Sequence, residues 1–378
     1  MSARLPRGGW YFAMTHSAPG GLREIWNDVA DGLAQRGHVV GRFVLYPDGR
    51  GGDGRDAQRE GWHHVMQRRR AGPVGLFRLM VALIRWLRSA RPAVVVTAMP
   101  FANVVVPVAA TLARTGTRVV VTHHSPQATH HRVTARLDAL SGCLPAVKRI
   151  VCVSAAVANS FAAVSRRYRN KLEVIHNALP QHIEGFADEL YATLRQTAPI
   201  PGRCIAVGRL SHQKNYPQLL HALAAMTSGT LDIVGGGEDE ETLRALAGDL
   251  GIAHRVNFLG QMSRLDALRQ CARAQVFVQV SHYEGHSLAL IEAARLGLPL
   301  VVSSVPVQCE GITDKAGNLC GQAVALGDPA ALAAVLHTLL ADDSARGVWA
   351  ERARRLGLEI SSAAMVNKYE TLLSRIAA

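Results

Sequence analysis

The stretch Val276 to Val302, VFVQVSHYEGHSLALIEAARLGLPLVV, decides how the rest of the chain is read. Val276 to Val280 is an uninterrupted β-rich run, the pattern of a parallel strand covered on both faces. Ala289 to Leu298 has helical spacing and stops at Gly297 and Pro299. A strand that passes through a short loop into a helix puts that loop at the carboxyl edge of a doubly wound sheet, the edge that faces ligands. Glu284 lies in the loop, and the backbone N–H groups of Gly285, His286, Ser287 and Leu288 stand at the helix start, where an anion is favoured. Glu292 follows eight positions later, about two helical turns on, near the same edge.

Upstream, the same alternation repeats. Strand-like runs at Cys204–Val207, Leu231–Val234 and Val256–Leu259 are interleaved with helical patterns at Tyr216–Ala225, Glu240–Leu250 and Arg264–Cys271. Short crossovers of this kind build a parallel sheet with helices on both faces, so the expected class is α/β. Gly235-Gly236-Gly237 lacks the G-x-G-x-x-G spacing of a dinucleotide fingerprint, which argues against a dehydrogenase.

Composition narrows the classes further. Hydrophobic residues make up 48% and charged residues 19%, the balance of a globular chain long enough for two domains. Six cysteines are scattered without a C-x-x-C pair, so neither a disulfide framework nor a zinc site is indicated, and a reducing, cytoplasmic location fits. The start, MSARLPRGGWYFAM, reaches charge and glycine too early for a signal peptide. Pro92 to Ala113 is free of charge, but Pro100 and Pro107 divide it into a strand and a short helix rather than a membrane span. Residues 1–180 hold 25 Lys and Arg against 9 Asp and Glu, whereas 181–378 hold 17 against 20. The first half therefore suits an acidic partner, either a phosphorylated acceptor or an anionic membrane surface. No nucleic-acid-binding motif accompanies the charge.

In the first half, a strand at Gly9–Thr15 leads through HSAPGG, residues 16–21, into a helical pattern at Leu22–Gln35. Gly20 and Gly21 read either as a phosphate loop or as a tight strand-to-helix turn. Tyr46–Gly61 reads as a polar loop. Arg68-Arg69-Arg70 precede a helix over Val74–Ser89 with Phe77, Met80, Leu83, Ile84 and Leu87 on one face and Trp86 near its polar side, which either covers a sheet or lies on a membrane. His123, His124, His130 and His131 crowd one loop without a helper carboxylate, so no metal site is expected.

Glu284 and Glu292 eight apart, Gly208, Arg209 and Lys214 in VGRLSHQKNY, the turn IVGGGEDEETL and then VNFLG occur in an order that resembles retaining glycosyltransferases of the GT-B architecture, specifically family 4 of the nucleotide-sugar-dependent enzymes. The resemblance is nearly continuous from Arg203 to Leu300. It implies two Rossmann-like doubly wound parallel-sheet domains facing a cleft: 1–180 on the acceptor side, a linker at 181–202, a nucleotide-sugar domain at 203–360, and a final helix at 361–378 crossing back to the first domain. It implies further that Arg209 and Lys214 bind the donor's diphosphate in place of a metal, there being no Asp-x-Asp pair. Gly20 and Gly21 would touch the same diphosphate, and Gln261 and Met262 would also bind the donor. Glu292 would bond the ribose, Glu284 a hydroxyl of the donor sugar with Gly285, His286, Ser287 and Leu288 donating N–H groups, and His124 would point at that sugar from the first domain. The implied catalytic set is Glu284, His124, Arg209 and Lys214. No cofactor is expected beyond a UDP- or GDP-linked sugar as substrate. The acceptor would be a glycan, a lipid-linked or phosphorylated sugar, or a small molecule of bacterial polysaccharide or glycolipid synthesis, met in the cytoplasm or on the inner membrane face. Where the family has Glu-Gly-Phe-Gly, this chain has Glu284-Gly285-His286-Ser287, which leaves donor preference open. A nucleotide-sugar 2-epimerase-like isomerase and an inactive nucleotide-binding scaffold remain the alternatives.

Overall fold

The structure, a computed structural model, describes residues 8–18, 20–47, 55–69, 71–194 and 199–378. The extreme N-terminus, Pro19 of the glycine turn, part of the polar loop after the second strand, and Arg70 of the arginine run lie outside the described residues. The chain divides into two compact units, residues 1–177 with 362–378, and residues 178–361.

The first unit carries seven parallel strands: β1 Trp10–His16, β2 Val40–Tyr46, β3 Trp62–His64, β4 Val94–Thr97, β5 Arg118–His123, β6 Val147–Cys152 and β7 Leu172–Val174, in the order β3-β2-β1-β4-β5-β6-β7. Its main helices are α1 Gly21–Gln35, α2 Arg55–Arg59, α3 Gly72–Ala90, α4 Pro100–Ala113 and α5 Arg132–Ser141. The charge-free segment splits as its prolines dictate, into the fully buried β4 and the helix α4. Pro107 inside α4 has no N–H for the carbonyl of Asn103, and Ser141 Oγ of α5 donates to that oxygen instead at 3.4 Å. Among the described residues no helix is long and apolar enough to cross a membrane.

Two expectations change here. Trp86 does not lie on the polar side of α3 but packs against the core, its ring 5.2 Å from Tyr11 and 4.3 Å from Phe43. Leu79, Leu83 and Leu87 form the buried stripe, and Phe77 is left outside it at 68% exposure. The terminal helix Ser362–Ala377 groups with the first unit and buries Val366 and Tyr369, with Phe12 edge-on to Tyr369.

The second unit carries six parallel strands: β8 Arg203–Val207, β9 Thr230–Val234, β10 Val256–Gly260, β11 Val276–Gln279, β12 Leu300–Ser303 and β13 Gln322–Val324, ordered β10-β9-β8-β11-β12-β13. The segment expected to be a linker is largely a helix of this unit, Gln181–Leu194. Ile183 and Ala187, one turn apart, are buried in the unit's core, and Asp188 pairs with Arg295 at 2.8 Å and Arg354 at 2.9 Å. Ile183, Phe186, Ala187 and Leu190 recur at helical spacing, a signal that the linker reading did not use.

The glycine turn proves to be a packing device. Gly235 (φ 138°) and Gly237 press on the loop after β8, where an added Cβ would sit 2.0 Å from Gly208 O and 2.2 Å from Leu210 O respectively. Gly236 has no such neighbour, the nearest atom being Gln261 Cβ at 3.9 Å. Gly235→Ala and Gly237→Ala should each cost about 1–3 kcal/mol or more by overpacking against backbone, while Gly236→Ala stays within about 0.5 kcal/mol. Urea denaturation of the three variants checks this, and equal losses at all three would show that the close approach is not what the glycines serve.

Candidate functional site

In each sheet the strand order reverses once, between β1 and β4 and between β8 and β11, and ligands of open α/β sheets sit in the crevice at such a reversal. In the second unit the loops after β8 and β11 fill that position. They are stitched together: His282 N–H donates to Gln213 O at 2.8 Å, Gln213 Nε2 donates to Tyr283 O at 3.1 Å, and the rings of His212 and His282 stack with centroids 4.6 Å apart.

Glu284 is buried at the centre. Its Oε1 accepts from Lys214 Nζ at 2.7 Å, Gln279 Nε2 at 2.8 Å and Ser281 Oγ at 2.8 Å. A carboxylate taken out of water survives as a charge only when paired and hydrogen-bonded in this way. Lys214 reaches it by lying over Gly208 (φ 155°), where a Cβ would be 2.6 Å from Lys214 Cε. Tyr216 donates to the carbonyl of that same glycine at 3.1 Å. Burial, with the Glu284 charge nearby, pushes the Tyr216 hydroxyl pKa upward, so it stays protonated as a donor.

Ser287 caps the helix Leu288–Arg295, accepting from Leu290 N–H at 3.4 Å and donating to Gln279 Oε1 at 2.9 Å. Gln279 therefore orients both Glu284 and Ser287. Gly285 and His286 are buried between them, and Leu288 opens the helix half-buried. Glu292 is buried on the same helix and paired with Arg264 Nε, the first residue of the helix Arg264–Ala272. Arg209 stands at the rim, 57% exposed along its side chain, and donates from Nε to Glu238 Oε2 at 2.9 Å. Glu238 holds this arginine in place. Gln261 is exposed and Met262 partly buried in the loop after β10.

The first unit gathers its candidates at its own carboxyl edge. Gly20 caps α1, its carbonyl accepting from Arg23 and Glu24 N–H, and space above it is open, with nothing within 4 Å of an added Cβ. Buried Arg23 fixes the turn through Ser17 O at 2.6 Å, Asp56 at 2.8 Å and Glu60 at 2.9 Å. His124 sits edge-on to Trp26 of α1 at 6.4 Å. Thr122 gives its single proton to Thr97 O at 2.8 Å, so its 2.9 Å bond to His124 must be donated by Nε2–H of the ring. Nδ1 of His124 is thus the acceptor, and burial holds the ring's pKa down to about 4, neutral at physiological pH.

The other histidines are engaged separately: His123 Nε2 with Tyr168 OH at 2.8 Å, His130 Nε2 with Ser125 Oγ at 3.2 Å, and His131 as the cap of α5. Tyr168 in turn donates to Asp138 Oδ2 at 2.7 Å, and burial raises Asp138 to about 6. Among the described residues no group of three or more His, Cys, Asp or Glu is placed to hold a metal.

Sequence reading missed Gln279, Ser281, Arg264 and Arg23. A glutamine inside the apolar run VFVQV was a usable signal for the first, since such a residue needs a partner. Nothing local marks Arg264 as the partner of Glu292.

Residues 201–356 match the family model of glycosyl transferases group 1, and residues 19–180 that of glycosyltransferase family 4. The glycogen synthase of Mycobacterium tuberculosis is 30% identical over 159 residues, 41% of this chain and 38% of that protein. The lipopolysaccharide core biosynthesis glycosyltransferase LpsE of Rhizobium meliloti is 29% identical over 171 residues, 45% of this chain and 49% of that protein. The chain thus spans about two fifths to one half of the length of these curated relatives. The crystal structure of Alr3699/HepE from Anabaena, in complex with UDP and glucose, has a TM-score of 0.80 at 17% identity over 97% of this chain and 100% of that one, a likeness of fold.

The His124 environment carries a signed pH dependence. Its folded pKa of about 4 lies below the unfolded value of about 6.5, so its contribution to stability is complete above pH 6.5 and is lost as pH falls from there toward 4. Denaturation at pH 7, 5.5 and 4.5 should show that decline, and His124→Gln should make it shallower, leaving the share of His123, which burial also holds well below its ordinary value. Parallel declines in both proteins would exclude His124 as the titrating group.

Proposed function

Because the chain belongs to family 4 of the glycosyltransferases, with the group 1 transferase module as its second unit, we propose that it is a retaining, metal-independent enzyme that moves a sugar from a nucleotide-diphosphate sugar to an acceptor hydroxyl. The observation that carries this reading is the Lys214–Glu284 pair at the reversal of the second sheet. Lys214 supplies a point cation whose remaining N–H groups bind the donor's diphosphate while it keeps its bond to Glu284. Arg209, held at the rim by Glu238, adds a planar fork to the same group. Both bonds strengthen as the leaving group gains charge.

In the proposed step, the bond between the anomeric carbon and the diphosphate oxygen breaks. The acceptor oxygen bonds the same face of the sugar, and its proton passes to the departing phosphate. Glu284, steadied by Gln279 and Ser281, orients the donor sugar and balances positive charge at its anomeric carbon. Neutral His124, at the carboxyl edge of the first sheet, has Nδ1 free to accept from a ligand hydroxyl. Glu292, steered by Arg264, takes the ribose. UDP-sugars head the donor panel, since the similar Anabaena protein was solved with UDP and glucose. The basic first unit suits a phosphorylated or lipid-linked acceptor.

The test is donor turnover with and without acceptor across UDP-, GDP- and ADP-sugars, in chelator and in magnesium. Transfer that survives EDTA is expected. Turnover of the nucleotide sugar without acceptor, giving an epimer, would replace the reading with an isomerase, and binding without any turnover would replace it with a scaffold. Lys214→Met should lower kcat/KM by about 10²-fold or more, and Glu284→Gln should depress kcat with the donor still bound. Glu292→Ala and Arg264→Ala should both weaken binding of the free nucleotide diphosphate by calorimetry. Unchanged affinity in Arg264→Ala would show that the arginine does not steer Glu292.

A further inference from the structure

The first unit wears its charge unevenly. Acids on α1 and α2 are tied down, Asp56 and Glu60 by Arg23 and Asp31 by Arg42. From Gly61 to Lys171, by contrast, the sequence holds 17 Lys and Arg and one acid, Asp138, which is buried. That span builds α3, α4 and α5. All three connect strands in the same direction across the sheet, β3 to β4, β4 to β5 and β5 to β6, so right-handed crossovers lay them on one face, with α4 packed between its neighbours.

The outer side of this layer is apolar where a surface should be polar. The sequence of α4, PFANVVVPVAATLA, has no charged residue, and with its alanines turned inward it leaves Phe101 37% and Leu112 53% exposed. On α5, Val133, Leu137 and Leu140 form one helical stripe at 57%, 46% and 70% exposure, flanked by exposed Arg132 and Arg136. The first turns of α3 add Val74 and Phe77 at 65% and 68%, beside exposed Arg78. Exposed apolar side chains on three neighbouring helices of one layer point to an interaction surface.

Apolar side chains set in an acid-free field of arginine call for a partner that is apolar within and negative at its surface. We propose that the α3–α4–α5 face docks on an anionic lipid bilayer, with Leu137, Leu140 and Phe77 entering the boundary between headgroups and acyl chains and the arginines resting on lipid phosphates. Pairing this face with a second copy would set arginine against arginine, which disfavours a dimer. The inference rests on surface composition alone and not on the transfer reaction.

Co-sedimentation of the full chain with phosphatidylglycerol-containing vesicles and with pure phosphatidylcholine vesicles tests it without any activity readout. At least tenfold preference for the anionic vesicles at low salt is expected. Each basic residue near such a surface is worth about fivefold in binding, so Arg132→Gln with Arg136→Gln should weaken it by about 25-fold. Leu137→Ser with Leu140→Ser should abolish the fraction that persists at high salt while leaving the melting temperature in place, because both side chains are already in water. Lys368→Gln, on the terminal helix, should change nothing. The proposal falls if the wild-type chain ignores anionic vesicles at low salt or binds zwitterionic ones equally. It also falls if the leucine variant instead dissolves a dimer seen by analytical ultracentrifugation, or if polyglutamate binds where vesicles do not, which would reassign the face to a protein partner.

Discussion

One carboxylate oxygen constrains much of the second unit. Oε1 of Glu284 holds three donors within 2.8 Å, and a buried charge so placed tolerates the loss of none of them without leaving an uncompensated partner. Lys214 can reach that oxygen only by passing over a residue without a side chain, which fixes Gly208. The carbonyl of Gly208 is approached so closely by the next loop that Gly235 must be a glycine as well. The electrostatics of one ion pair thereby reaches into the conformations of two loops on neighbouring strands, and the glycine-rich turn belongs to that chain of requirements rather than to a nucleotide fingerprint.

The first unit solves a comparable problem with neutral groups. Thr97, Asn103 and Thr122 exchange hydrogen bonds among the ends of β4, β5 and the start of α4, and the last link passes to His124. Each donor in that series is already committed, so the tautomer of His124 follows from its neighbours. A histidine kept neutral by burial and fixed in tautomer is a directional hydrogen-bonding group, whereas the four histidines of the loop, taken as a sequence cluster, gave no hint of which one would be so held.

How far the sequence was legible depends on how local the cause is. The run at Val276 and the stop at Gly297 and Pro299 reflect forces within a few residues, and the strand Val276–Gln279 and helix Leu288–Arg295 stand where those signals put them. Lys214 and Glu284 were named separately, but their bond joins residues 70 apart in sequence, and periodicity carries no information at that range. Trp86 was misplaced for a related reason. Its position on a helical wheel borders the charged side, but the aromatic gap between Tyr11 and Phe43 on the adjacent strands draws it in. The helix Gln181–Leu194 does carry a local signal, since Ile183, Phe186, Ala187 and Leu190 recur at helical spacing, but its stabilising partners, Arg295 and Arg354, lie more than a hundred residues on.

The terminal helix has a consequence for how the protein is made. Gly32 of α1 leaves just enough room for Val366, whose methyl group would lie 3.0 Å from an added Cβ, and Arg36 and His38 close on Glu370 at 2.5 and 2.7 Å. The first sheet is synthesised early, yet the helix that covers α1 and Phe12 leaves the ribosome only after all of Ala178–Ser361 has been made. Throughout that interval the nascent first unit carries an uncovered apolar strip, the kind of surface that chaperones hold and that aggregation exploits. Vectorial folding therefore cannot finish the first unit in the order in which it is translated, and its completion waits until Ser362–Ala377 has emerged.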